Sequence, residues 1–170
     1  MSESLWNAAD DYLATQILAN MGSAGSYTTL KLTSVEKWAR FDPIDFRNIT
    51  TPFAVIVSYR NEVVPAGHSS ESRSQTNDTF SISVLLVTEG TLSVATTNAK
   101  ILAWRLQKFL RELRITGLTS DDGSKVDRLV RGDKSMFVTE IALWDKPSTI
   151  NSDSVYGIAE VAFRLQGITV

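Results

Sequence analysis

The stretch Phe80-Ser81-Ile82-Ser83-Val84-Leu85-Leu86-Val87 alternates apolar and polar residues through Val84, and a few residues later the period changes. From about Ser93 to Arg114, Ala95, Ala99, Leu102, Leu106, Phe109, Leu110 and Leu113 recur at three- and four-residue intervals, with Gly117 just beyond. The first segment predicts a half-buried strand and the second an amphipathic helix. Upstream, Ala54-Val55-Ile56-Val57-Ser58-Tyr59 is rich in β-branched and aromatic residues and predicts a strand paired antiparallel with the first. Downstream, Met136 to Trp144 and Ile158 to Gln166 predict two further strands, separated by a polar loop containing Pro147 and Gly157. In the last strand Ala159, Val161, Phe163 and Leu165 alternate with residues such as Glu160 and Arg164.

The remaining segments complete the plan. From Leu5 to Met21 the apolar residues Trp6, Ala9, Leu13 and Ile17 mark one face of a helix that Gly22 ends. Gly22-Ser23-Ala24-Gly25-Ser26 predicts a turn, and Leu30 and Leu32, alternating with Thr29, Lys31 and Thr33, predict a strand. Residues 38–52 read as an irregular connector, because the residues before Pro43 and Pro52 are pushed out of the helical region. Residues 60–79 are strongly polar and predict a loop far longer than an ordinary hairpin turn. No repeat or linker divides residues 1–170. The expected fold is therefore a single α+β domain, an antiparallel sheet of about four to five strands with two helices packed on it.

Composition narrows the chemistry. With 170 residues, 43% of them hydrophobic, the chain can build one sizeable core. Lys and Arg total 17 against 19 Asp and Glu, a formal charge of −2 that gives no single-sign field for nucleic acid or an anionic membrane. The absence of Cys removes disulfides, thiolate nucleophiles and thiolate metal sites, and His68 is the only histidine. No phosphate-binding glycine motif occurs. His68 beside Ser69 and Ser70 suggests a serine hydrolase only weakly, because neighbours in a polar loop lack a rigid scaffold and an orienting acid. Asp121-Asp122-Gly123 has the look of a calcium loop, but Leu129 stands where the closing glutamate would be. Asp10 and Asp11, adjacent on a helix, diverge by about 100° and do not share a site. The expectation is a chain that is not an enzyme, with no catalytic set, metal or cofactor. The opening Met1-Ser2-Glu3-Ser4 has no basic cluster and no run approaches the length of a membrane span, so a cytosolic origin with no membrane partner is expected.

One helix is less bland. Opposite its apolar stripe, Lys100, Lys108 and Arg111 share a face with Ile101 and Trp104, and a tryptophan is a poor choice for a solvated position. Basic side chains around an aromatic can also stack on nucleic acid, which the lack of a second aromatic nearby disfavours, and two further readings stay open. Trp104 can lie under the Lys100 and Lys108 stems or beneath the 38–52 connector, or it can meet a neighbouring subunit, where Trp and Arg are enriched. On the second reading Ile101, Trp104, Lys108 and Arg111 form one interface patch, with the segments around Trp38 and Arg73 as candidates for another.

The order of elements resembles that of the tail-terminator and neck, or tail-completion, proteins of long-tailed bacteriophages. An N-terminal helix, Leu5 to Met21, is followed by the Pro-led strand Thr51-Pro52-Phe53-Ala54-Val55-Ile56-Val57 and a polar excursion. Then come Phe80 to Val87, the helix from Ser93 to Leu113 and a closing strand ending Glu160-Val161-Ala162-Phe163-Arg164-Leu165-Gln166-Gly167. The resemblance implies a virion protein, made in the host cytoplasm, that forms a ring of usually six copies at the head-proximal end of the tail. Such a ring ends tail-tube polymerisation and joins the neck or head-completion proteins, with DNA only as passing cargo. It implies no enzymatic activity and no cofactor. A different class, an adaptor or head-completion protein binding one protein partner as a monomer or dimer, is the alternative.

Overall fold

The computed structural model describes residues 3–38, 48–65, 76–113, 115–116, 126–131, 137–145 and 154–169. The chain is an α+β domain, as expected. In chain order the elements are α1 (Glu3–Met21), β1 (Val35–Trp38), β2 (Phe53–Pro65), β3 (Thr76–Gly90), α2 (Leu92–Glu112), β4 (Ile115–Thr116), β5 (Val126–Arg131), β6 (Phe137–Asp145) and β7 (Val155–Thr169). From its β1 edge the sheet runs β1-β2-β3-β7. Beyond β7 the order continues to β5 and β4, while β6 pairs with β7 along residues 155–162. β2, β3 and β7 pair antiparallel in long, matched registers, Phe53↔Val87 and Val84↔Val161 among them.

β1 is the exception to the antiparallel pattern: it lies parallel to β2, Val35 opposite Ala54. A parallel neighbour needs a crossover of about a dozen residues or more, and the segment between Trp38 and Phe53 has that length. The strand expected at Leu30 and Leu32 does not form, and pairing begins at Val35. Leu30 adopts φ 54°, which ends any extended run. The segment is held instead by discrete bonds, the Leu32 amide donating to the Met21 carbonyl at 2.9 Å and the Arg105 guanidinium to the Thr29 and Leu30 carbonyls at 2.9 and 3.1 Å. Side-chain alternation over five residues could not reveal that.

The polar stretch 60–79 is a loop only in its middle. β2 continues to Pro65 and β3 begins at Thr76, paired with each other across a register shift at Arg60/Glu62. Residues 66–75, which include His68 and Arg73, lie outside the described residues. A ladder is built from backbone groups, so polar side chains do not forbid it. Gly157, expected in a loop, lies instead within β7 opposite Thr88. The turn at Asp121-Asp122-Gly123-Ser124 and the connector residues 39–47 also lie outside the described residues.

Both helices cover one face of the sheet. Ala9, Leu13, Ile17 and Met21 of α1 and Ala99, Leu102, Ala103, Leu106 and Leu110 of α2 pack on Ala54, Ile56, Ile82, Val84, Leu86, Ala159, Val161 and Phe163. The alternate residues Phe53, Val55, Val87, Tyr156 and Ile158 form a second cluster on the opposite face, with Trp38, Ile49, Val57 and Leu85 partly buried against it. Burial on both faces explains why the start of β2 is an unbroken apolar run. Each fully buried large side chain, such as Phe53, Leu13 or Leu106, contributes about 1.5–3 kcal/mol.

The junction of β3 with α2 is tight. Gly90 takes φ +155°, which an L side chain rarely adopts, where β3 gives way to the helix. One turn into α2, a Cβ on Gly157 would stand 2.5 Å from the Ala95 carbonyl oxygen, so only glycine lets the helix approach β7 this closely. The buried Thr88 hydroxyl reaches the Ala95 carbonyl at 2.7 Å and the Gly157 carbonyl at 3.2 Å. α2 is thereby seated on the sheet as a rigid body, which fixes where its outer face points.

Candidate functional site

With Ala95, Ala99, Leu102, Ala103, Leu106 and Leu110 buried, the opposite side of α2 is defined by geometry. Val94, Thr97, Ile101, Trp104, Lys108 and Arg111 follow one another at alternating spacings of three and four residues, the seam that one helix offers to another element. Trp104 is 60% exposed, Val94 49% and Ile101 38%, and Leu92 at the helix start is 57% exposed. These are most of the exposed large hydrophobics among the described residues, the other being Leu18 on α1. Monomeric surfaces rarely group such side chains without a partner.

Among the described residues, nothing buries Trp104. The Lys108 ammonium stands over the indole ring at 5.9 Å from its centroid, a cation–π arrangement that still leaves most of the ring open. Trp38, at the start of the connector, packs against the cluster on the far side of the sheet from α2, and connector residues 39–47 lie outside the described residues. Ile101, Trp104, Lys108 and Arg111 thus form one exposed patch, while Trp38 is half-buried and separate from it. Arg73 lies outside the described residues. Val94 extends the patch toward the start of α2, whereas Leu92 lies about 120° around the helix from Trp104 and is exposed apart from it. Counting back from Trp104 by three and four residues would have found Val94 in the sequence.

Arg105, one residue from Trp104, points the other way. Its guanidinium stacks on the Tyr27 ring at 4.2 Å from the centroid while donating to the Thr29 and Leu30 carbonyls. The cations of α2 therefore divide in two: Arg105 ties the 27–30 segment to the helix, and Lys100, Lys108 and Arg111 face solvent.

Among the described residues, the polar groups elsewhere do not assemble a reactive set. Asp11 pairs with Lys37 on the surface, and its neighbour Asp10 is half-buried, so the two carboxylates diverge as their adjacency requires. Ser83 donates to Glu160 at 2.6 Å on the sheet face away from the helices. Among the described residues no group of three or more His, Asp or Glu is placed to hold a metal, and no helix is long and apolar enough to cross a membrane. The comparisons add no identity: no protein-family model matches the sequence, and no curated protein matches it.

Proposed function

We propose that this chain is a structural assembly protein, a subunit of a ring at the head-proximal end of a phage tail. There the ring, of about six copies in proteins of this kind, ends growth of the tail tube and offers the joining surface to the neck. On this reading the protein resides in the virion at the tail–neck junction, its partners are its own copies, the tail-tube protein and a neck or head-completion protein, and it performs no catalytic step and needs no cofactor.

The observation that carries the reading is the outer face of α2, where Ile101 and Trp104 stand exposed on a helix locked to the sheet. A rigid helix presenting an aromatic anchor with basic neighbours has the anatomy of a protein-interface hot spot. Rings close through heterologous contacts, so the α2 patch must meet a different surface of the next copy. The formal charge of −2 suits a channel through which DNA passes without being gripped.

Light scattering coupled to size exclusion tests the first part. A single high-order species is expected for the parent chain, and Trp104→Glu is expected to reduce it to folded monomers. A parent that stays monomeric or dimeric at high concentration favours an adaptor instead. The second part is tested by adding the protein to polymerising tail-tube subunits, where shortened, capped tubes are expected and unchanged length distributions would refute the role.

A further inference from the structure

Resting on the ring reading above, we infer that the surface covering Ile101 and Trp104 is an acidic face of the neighbouring copy, whose carboxylates pair with Lys100, Lys108 and Arg111, and not a second α2. Lys100 and Lys108 bracket Trp104 at four residues on either side, and Arg111 continues the same ridge. All three are exposed, and among the described residues no carboxylate, Glu112 included, lies within ion-pair distance of them.

Charge decides between the two occupants. The outer face of α2 holds Lys100, Lys108 and Arg111, a charge of +3, so the rest of a chain whose total is −2 carries −5. Every copy thus offers one basic helix face and an acidic remainder. Two α2 helices laid together would match their apolar seams but gather like charges around two indoles. Like-charge juxtaposition opposes association, and cations desolvated beside an interface core without counter-charges weaken it further. Docking α2 on the acidic remainder of the next copy satisfies both the indole and the cations. Such a contact is head-to-tail and weakens with salt.

The absence of cysteine supplies a clean experiment. Ile101→Cys places a unique thiol in the seam and leaves Trp104 in place. The expected results are assembly without disulfide-linked dimers under oxidation, and cross-linking from a benzophenone attached to that thiol into an Asp- or Glu-bearing segment outside residues 92–112. Lys108→Glu with Arg111→Glu is expected to weaken self-association by at least about tenfold, and added salt to weaken that of the parent. Should the double reversal fail to fold by circular dichroism, Lys108→Gln with Arg111→Gln replaces it. High-yield disulfide dimers, labelling inside α2, or assembly indifferent to both charge variants and salt would overturn the acidic-face inference while leaving the ring intact. A parent chain that does not self-associate at any concentration would refute the ring reading itself, and this inference with it.

Discussion

Gly157→Ala should be among the most damaging single-methyl additions to this protein. The new Cβ would meet the Ala95 carbonyl oxygen at 2.5 Å, its carbon at 2.6 Å and the Ala95 Cβ at 3.0 Å. Two of those atoms are helix backbone and cannot rotate aside, so the first turn of α2 must lift from β7 by roughly 1 Å to restore ordinary van der Waals contact. That lift stretches the 2.7 Å bond from Thr88 to the Ala95 carbonyl past useful length. Overpacking of this kind costs about 1–3 kcal/mol, and a lost buried hydrogen bond about 1 kcal/mol more. The expected loss is therefore about 2–4 kcal/mol, read as a lower midpoint in urea denaturation at one fixed protein concentration, since any association also stabilises the fold.

The same geometry predicts non-additivity. Thr88→Ala alone removes the hydroxyl, but in the Gly157→Ala background that bond is already broken. The double mutant should then be less damaged than the two singles combined, by about 0.5 kcal/mol or more. A Gly157→Ala loss below about 0.5 kcal/mol, or strict additivity with Thr88→Ala, would refute the claim that glycine is required for the helix to sit here.

Other expectations follow from the same structure. Leu106→Ala removes a fully buried side chain between α2 and the sheet and should cost about 2–5 kcal/mol by denaturation. Trp104→Glu, at a site 60% exposed, should change monomer stability by no more than about 0.5 kcal/mol while abolishing self-association by light scattering. Arg105→Ala removes the ring contact with Tyr27 and two carbonyl bonds, and should cost about 1–2 kcal/mol and speed amide hydrogen exchange in residues 27–34 more than in α2. Lys37→Ala breaks a solvent-exposed pair with Asp11 and should cost less than about 1 kcal/mol, a difference that shrinks further in high salt.

Where periodicity was sustained, the sequence was a good guide. The apolar stripe read from Ser93 to Arg114 is the buried side of α2, with Ala103 added and Phe109 and Leu113 partly buried at its margin. Ala9, Leu13 and Ile17 are buried as the spacing of α1 required. The strands read at 54–59 and 80–87 lie within β2 and β3. Errors gathered where a few residues carried the pattern or where backbone pairing outran side-chain character. Leu30 and Leu32 alternate like a strand yet are fastened by single bonds, and the polar flanks of β2 and β3 pair although their side chains suggest a loop. The candidate patch was half legible: an indole among lysines on the wet side of a helix is visible in the sequence, but whether its own chain covers it is not.

By itself, then, the sequence determined the α+β class, the two helices, their inward faces and the scarcity of reactive groups, because these depend on composition and on intervals of a few residues. Only the tertiary structure decided that β1 joins β2 in parallel, that Gly157 lets α2 touch β7, that Arg105 turns inward while Lys108 turns out, and that Trp104 stays open. Each of these joins residues far apart in the chain. Their energies come from contact and desolvation between surfaces that meet only after folding, and no local pattern encodes them.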